Sequence, residues 1–482
     1  MFRVLMIRIL LVAHAALSRV AELCCLIWNR GWKIFAAHGW RNWMTLRLNV
    51  EEMAQLPGHC AAFRNVGKLR SVRGLLRADM PAFVGESCSV GLPTGEQVIA
   101  EVVGFDTTES QLMCFDSTAG LQPGLEIIGH GRSRSVPVGS GLLTRVIDGI
   151  GRPIDHRGPL RVRRWRPETA TVPDAMQRSR ITQPLITGQR VIDGLLTIGR
   201  GQRVGLFAGS GVGKSTLLGE IAKNAEADVN VIALVGERGR EVLPFIEDCL
   251  GEEGLARSVV VVATSDQTPL MRIKAVLTAA TIAEEFRDQG AHVLFFLDSL
   301  TRLAIAQREL GLLLGEPPGS RGYPPSVQSL LASVLERLGC GPKGAITGLI
   351  TVLVDGDDMD EPITDAARGI LDGHIILSRK IAATGHFPAV DVLPSVSRVF
   401  REVTSDDHQK NAQKLRSLLA THAEIADLIQ IGAYKAGTSK QVDRAVQIMP
   451  EARKFLQQTV NRKSSWEDTQ KQLKALADAW PW

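Results

Sequence analysis

An α/β core built on a parallel sheet, preceded by a small β-barrel domain and followed by a helical domain, is the fold class that this chain of 482 residues predicts. Three observations carry it. A glycine-rich loop, AGSGVGKST from Ala208 to Thr216, joins the apolar run Val204–Phe207 to a helical pattern that starts at Lys214. Beyond the loop, continuous apolar runs rich in β-branched residues alternate with amphipathic segments, as in strands covered on both faces of a parallel sheet. Before it, short alternating runs broken by Gly and Pro recur at the spacing of barrel strands, and after Arg401 strand-like runs cease.

Residues 1–52 stand apart as a basic and apolar extension. Residues 1–50 carry seven Arg and Lys against Glu22 alone, a net +6, so the remaining 432 residues of this chain of net +5 sum to −1. The body therefore lacks the positive balance that nucleic acid binding requires, and no nucleic acid partner is expected. Ile9–Leu17 follows Arg3 and Arg8 in the manner of a secretory signal, and the same stretch fits an amphipathic arm on a membrane surface. Arg19 and Glu22 interrupt it too soon for it to span a bilayer.

Residues 53–135 read as the barrel. Val66 opens five or six short strand patterns, among them VGKLRSVRGLLRADM, GESCSVGL, EQVIAEVVGFD and SQLMCF. An oligonucleotide-binding barrel is the functional rival, but between Glu51 and Arg190 the only aromatics are Phe63, Phe83, Phe105, Phe115 and Trp165, too scattered for a base-stacking platform. A structural crown is expected instead. The seven cysteines form no CxxC pair, which suggests neither a zinc site nor a disulfide frame and fits a reducing cytoplasm.

Residues 136–400 hold the sheet, with VNVIALVG, SVVVVAT, HVLFFLD, ITGLITVLV and HIILS as its further strands. The loop that opens this region is built for phosphate. Gly209, Gly211 and Gly213 permit backbone conformations closed to residues with a Cβ, so the N–H groups of Gly209, Ser210, Gly211, Val212, Gly213, Lys214, Ser215 and Thr216 can turn around a polyphosphate at a helix N-terminus. Lys214 would reach the β- and γ-phosphates, and the Ser215 hydroxyl would ligate Mg²⁺. Ala208 takes the first position of the motif, where Gly is usual. Asp298 ends the apolar run HVLFFLD, where a carboxylate can hold a water on Mg²⁺ beside Ser215; capping the next helix is its plainer role. Glu237, in VGERGREV, is the candidate to polarise an attacking water, since phosphoryl transfer to water needs an oriented nucleophile. Arg238 and Arg240 either contact phosphate or pair with Glu237 and Glu241. Residues 401–482 read as the helical domain, ending in a polar, Trp-tipped tail.

From about Val66 to Leu476 the chain resembles the type III secretion system ATPases, close relatives of the flagellar export ATPase and cousins of the F-type and V-type ATPase catalytic subunits. AGSGVGKST, GERGRE, LDSLTRLAIAQRE, GEPPGSRGYPPSV, VLVDGDDMDEPI, LDGHIILSRK and PAVDVLPSVSRV carry the resemblance, all in order. It implies a RecA-like P-loop NTPase core that hydrolyses ATP with Mg²⁺. It also implies roles by position: Lys214 and Ser215 as phosphate and metal ligands, Glu237 as the catalytic glutamate, Arg238 on the phosphate side, Asp298 linked to the metal, Arg302 in the active site, and Phe387 against adenine. Arg398, otherwise read as a core arginine paired with an acid, falls where the family offers an arginine to the neighbouring subunit's γ-phosphate.

The function implied is that of a homohexamer, cytoplasmic and peripheral at the inner membrane. There it would energise protein secretion by releasing chaperones from export substrates and unfolding them, with stator or regulator and stalk-like proteins as further partners. The flagellar version of the same machine is the nearest alternative. A subunit of an ion-translocating synthase would carry an acidic segment where this chain reads IGAYKAGTSKQVDRAV. An RNA translocase is disfavoured by the uncharged body, and a non-catalytic nucleotide-binding subunit by the presence of Glu237. Residues 1–50 have no counterpart in the family, so the start is expected to be misassigned, with Met44 or Met53 as the true beginning.

Overall fold

The computed structural model describes residues 65–481, except 107, 170–171, 355–357, 431–433, 436 and 438. The extension 1–52 with Met44 and Met53, Phe63, part of GDDMDEP and part of IGAYKAG lie outside the described residues.

Six antiparallel strands close the expected barrel: β1 (Val66–Arg73), β2 (Leu75–Asp79), β3 (Glu86–Gly91), β4 (Gln97–Asp106), β5 (Glu109–Cys114) and β6 (Glu126–Ser133), in the order β1-β2-β5-β4-β3-β6. Closure removes the strand edges, and side chains such as Leu69, Leu76, Val90, Val102, Leu112 and Ile127 fill the interior. Cys88 and Cys114 belong to this filling; burial, aided by nearby carboxylates, pushes both thiols up to about 12, which makes them inert packing groups. The barrel is bolted to the core by Lys274, whose ammonium pairs with Glu101 of β4 at 2.7 Å and with Glu168, itself paired with Arg134.

The main sheet has nine strands. Along it lie β7 (Val146–Asp148), β8 (Arg203–Ala208), β9 (Val229–Val235), β10 (Ser258–Ala263), β11 (His292–Asp298), β12 (Ala345–Leu353), β13 (Gly373–Leu377) and β14 (Val390–Ser397), in the order β14-β13-β8-β12-β11-β9-β10-β7, with Gly339–Cys340 paired to β12. All are parallel except β14 and Gly339–Cys340. Every residue of β9, β10 and β11 is buried, which is why these stretches read as unbroken apolar runs rather than alternating ones. The two edge strands escape that reading. β7 is three residues long, and β14 contains Pro394, which an edge strand tolerates because one side of its backbone needs no partner.

Four helices frame the sheet and its loops. Helix α1 (Arg190–Leu195) precedes β8, α2 (Lys214–Asn224) follows the phosphate loop, α3 (Pro269–Asp288) covers the sheet with Thr268 as its N-cap, and α4 (Leu300–Leu313) starts after β11. The helical domain comprises α5 (Asp406–Gln430), α6 (Lys440–Leu456) and α7 (Trp466–Ala479). It shares a core with the sheet: Leu418, Ile448, Phe455 and Leu473 pack in the same cluster as Val191, Ile192 and Leu195. The Arg190 guanidinium caps the end of α6, donating to the carbonyls of Phe455 at 3.0 Å and Lys454 at 3.2 Å and to that of Gln457. The polar, Trp-tipped tail is a misreading. Trp480 is fully buried, because it follows Leu473 and Ala477 at helical spacing and lands on their apolar face.

Candidate active site

Parallel strands bring their carboxyl ends to one edge, and three of them deliver the charged residues there. β8 ends at Ala208, β9 at Val235 just before Glu237, and β11 at Asp298, which stands in register with Leu234. After β8 the chain turns through Gly211 (φ +79°) and Gly213 (φ +86°), left-handed conformations that favour glycine, and enters the N-terminus of α2. Gly209 is constrained differently. A Cβ there would fall 2.4 Å from Nε and 2.8 Å from Cζ of Arg379, so only a glycine lets that guanidinium lie against the loop.

The loop opens on a cavity of about 570 Å³, lined also by Glu237, Arg238, Glu241 and Arg302. The Lys214 ammonium lies between two carboxylates, 2.6 Å from Asp298 and 3.7 Å from Glu237. Thr351 of β12 donates its hydroxyl to Asp298 at 2.7 Å, which fixes the buried carboxylate in place. Burial, then the Asp298 carboxylate, pushes the Glu237 carboxyl above its usual range, while Lys214 and Arg302 pull it back. Arg302 runs beneath Gly236 (φ +72°), where a Cβ would meet its own Cβ at 2.8 Å. Its Nε is buried without a hydrogen-bond partner among the described residues, an orphan donor on the wall of a cavity suited to anions. Arg238 is mostly exposed and reaches Glu241 at 3.4 Å. Val212 turns its side chain into the core, so only its backbone can serve a ligand.

Ser215 and Asp298 share a small cavity of about 30 Å³ with Glu237 and Glu241. A hydroxyl and carboxylates are hard oxygen donors that suit Mg²⁺. Among the described residues no group of three His, Cys, Asp or Glu side chains could hold a metal. A cation here would therefore take most of its ligands from phosphate and water, as Mg²⁺ commonly does.

A second cavity of about 800 Å³ continues from the loop, sharing Gly211, Gly213 and Thr216. Phe387 lines it, its ring so close to Gly213 that a Cβ there would lie 3.4 Å from Cδ1. The opposite wall comes from beyond α6, with Gln457, Gln458, Thr459, Val460 and Arg462, none of which any motif in the sequence marks. Gln458 ties this wall to the sheet domain: its carbonyl oxygen accepts from Arg190 N at 3.0 Å, its amide donates to Gly188 O at 2.7 Å, and its backbone N–H donates to Phe387 O at 2.9 Å.

Arg398 does not join the others. Val390 of β14 pairs with Leu377, which pairs with Ala208 at the phosphate loop, whereas Ser397 pairs with Gly373 at the opposite edge of the sheet. Eight residues of strand separate Arg398 from the loop level, about 25 Å at ~3.3 Å per residue. There its guanidinium donates to Arg368 O at 3.0 Å and is largely exposed.

Comparison with known proteins gives two matching family models. Residues 188–397 match the nucleotide-binding domain of the ATP synthase alpha/beta family, and residues 404–475 the T3SS EscN ATPase C-terminal domain. The chain is 49% identical over 421 residues to a flagellum-specific ATP synthase of Bacillus subtilis, covering 86% of this chain and 96% of that one. It is 47% identical to a type 3 secretion system ATPase of Xanthomonas euvesicatoria, over 87% of this chain and 95% of that one. Among solved structures, the assembled ATPase EscN of the enteropathogenic E. coli type III secretion system superposes with a TM-score of 0.81 at 44% identity, covering 85% of this chain and all of that chain. EscN in complex with its central stalk EscO gives a TM-score of 0.79.

Proposed function

Since the chain belongs to the family of type III secretion and flagellar export ATPases, we propose that it hydrolyses ATP as a ring of identical subunits to energise type III protein secretion, releasing chaperones from export substrates and unfolding those substrates at the cytoplasmic entrance of the secretion apparatus. The observation that carries the chemistry is the Lys214 ammonium held between Asp298 and Glu237 at the mouth of the phosphate loop. A γ-phosphate would draw Lys214 away from Asp298, freeing that carboxylate to hold a water on the cation beside Ser215. Mg²⁺, when bound, neutralises charge on the β- and γ-phosphate oxygens. Glu237 orients the attacking water, Arg302 and Arg238 offer donors to the phosphates, and Phe387 stacks on the base. A stalk protein in the ring and a peripheral position on the cytoplasmic face of the inner membrane complete the reading. Among the described residues, no helix is long and apolar enough to cross a membrane.

Relatives of the secretion and the flagellar kind match at nearly equal identity, which supports the flagellar export role as a second reading. Deleting the gene in its host decides between them: loss of effector secretion with motility intact supports the first, and loss of motility alone refutes it.

Phe387→Ala is expected to raise the KM for ATP roughly tenfold, the value of one base–aromatic stack, with kcat little changed, and Phe387→Tyr to behave like the parent. Steady-state kinetics check this, and an unchanged KM in the Ala variant removes Phe387 from the base pocket. A pH dependence also follows. Glu237 must be ionised to orient water, and its pKa is raised by burial and Asp298, so kcat should fall on the acid side above the usual carboxylate range. A pH–rate profile on folded protein whose acid limb sits at ordinary carboxylate values would contradict this role.

A further inference from the structure

Another cleft, of about 420 Å³, lies between the edge strand β14, helices α5 and α6, and the short helix Arg379–Ala383. Lys380, His386, His422 and Arg453 line it, with Asp391 as the only acid among the lining residues. Arg453 stands close enough to both imidazoles to add to the effect of burial, the larger cause, in lowering their proton affinity. Burial raises the proton affinity of Asp391, whose carboxyl accepts from the Leu393 backbone N–H. His386 and His422 are half-buried and Lys380 and Arg453 stand exposed at the rim, and none of the four makes a side-chain hydrogen bond or ion pair among the described residues. The cleft adjoins the base pocket, with Gln457 lining both, but faces the other way: along one turn, Phe387 lines the base pocket and His386 this cleft.

Arg453 opposes the protonation of both imidazoles, and an anion that bridges Arg453, Lys380 and the two imidazoles turns that repulsion into attraction. Arg, Lys and protonated His are the donors that recognise phosphate, and the volume suits a small molecule rather than a flat protein surface. We infer that this cleft is a binding site for a small phosphate-bearing anion, held by Arg453 and Lys380 and by His386 and His422 in their protonated forms. Binding takes up protons at the imidazoles, so it strengthens as pH falls; protonation of Asp391 acts in the same direction by removing the one negative charge.

The inference does not depend on ATP hydrolysis, so its test uses the full-length Lys214→Ala chain, in which the phosphate loop is disabled. Equilibrium dialysis with labelled pyrophosphate should show one saturable site per chain. Adding Arg453→Ala, or separately His422→Gln, should weaken it by about tenfold or more, and binding should tighten several-fold from about pH 7.5 to about pH 6. Combining His386→Gln with His422→Gln should remove most of that tightening and leave only the part due to Asp391. No saturable binding, or binding unchanged by Arg453→Ala and His422→Gln, overturns the proposal. Sedimentation with phosphatidylglycerol vesicles that needs the same residues, without binding of free pyrophosphate, assigns the cleft to a lipid headgroup and overturns it too.

Discussion

Glu237→Gln is expected to bind Mg-ATP with near-parental affinity and to lose turnover by about 10²–10⁴, whereas Lys214→Ala loses binding and turnover together. The difference lies in what each side chain touches. Lys214 is the cation between Asp298 at 2.6 Å and Glu237 at 3.7 Å, so its removal takes away the phosphate donor and leaves two carboxylates facing each other across the cavity. That repulsion works against any polyphosphate and costs stability as well, since breaking a largely buried pair leaves an uncompensated charge. Glu237→Gln keeps the shape, removes the charge that orients water, and lessens the repulsion with Asp298. Nucleotide binding by calorimetry and single-turnover hydrolysis separate the two variants, with circular dichroism to establish that each is folded. Substantial turnover by the Gln variant would remove Glu237 from the chemistry.

Mixing two inactive variants, Lys214→Ala and Arg398→Ala, is expected to restore partial hydrolysis. The register of β14 sets Arg398 at the sheet edge opposite its own phosphate loop, too far to reach the γ-phosphate of the same chain. Its exposed guanidinium is instead available to a neighbour. In a mixed ring some interfaces pair an intact loop on one subunit with an intact arginine on the next, and those sites can turn over. Arg398→Ala by itself should bind Mg-ATP and hydrolyse it about 10³-fold more slowly, the lower end of what an arginine finger supplies. Specific activity of the parent should rise with protein concentration as the ring forms. Mixtures that co-assemble yet recover nothing would leave Arg398 with a structural role, through the bond to Arg368 O.

The parts of the site legible in the sequence are those whose chemistry demands contiguous residues. A polyphosphate is wrapped by consecutive backbone N–H groups, so AGSGVGKST had to appear as one stretch, with glycine at the left-handed positions Gly211 and Gly213. Strands buried on both faces, such as β9 and β11, had to be unbroken apolar runs, and the acid ending one of them had to lie at the carboxyl edge. Barrel, sheet and helical domain were visible for the same reason: each has its own period or composition.

Tertiary structure alone decided what side chains far apart in the chain do together. Gln458 and Arg190 meet across 268 residues to close the base pocket, which asks only for shape and apolar contact and therefore imprints no pattern on either segment. The packing of Arg379 on Gly209, and of Arg302 under Gly236, depends on arginine side chains that approach the glycine backbone too closely for a Cβ, a fact of distance rather than of sequence. Trp480 looked like a polar tail because its flanks are polar, and is buried because one face of α7 meets the sheet domain. The sequence by itself determined the phosphate loop, the strand-end acids and the order of domains, since these follow from local backbone conformation and periodicity. Which arginine faces which loop was decided only by strand register: a parallel neighbour brings β13 to the phosphate edge, and the antiparallel return of β14 carries Arg398 away from it.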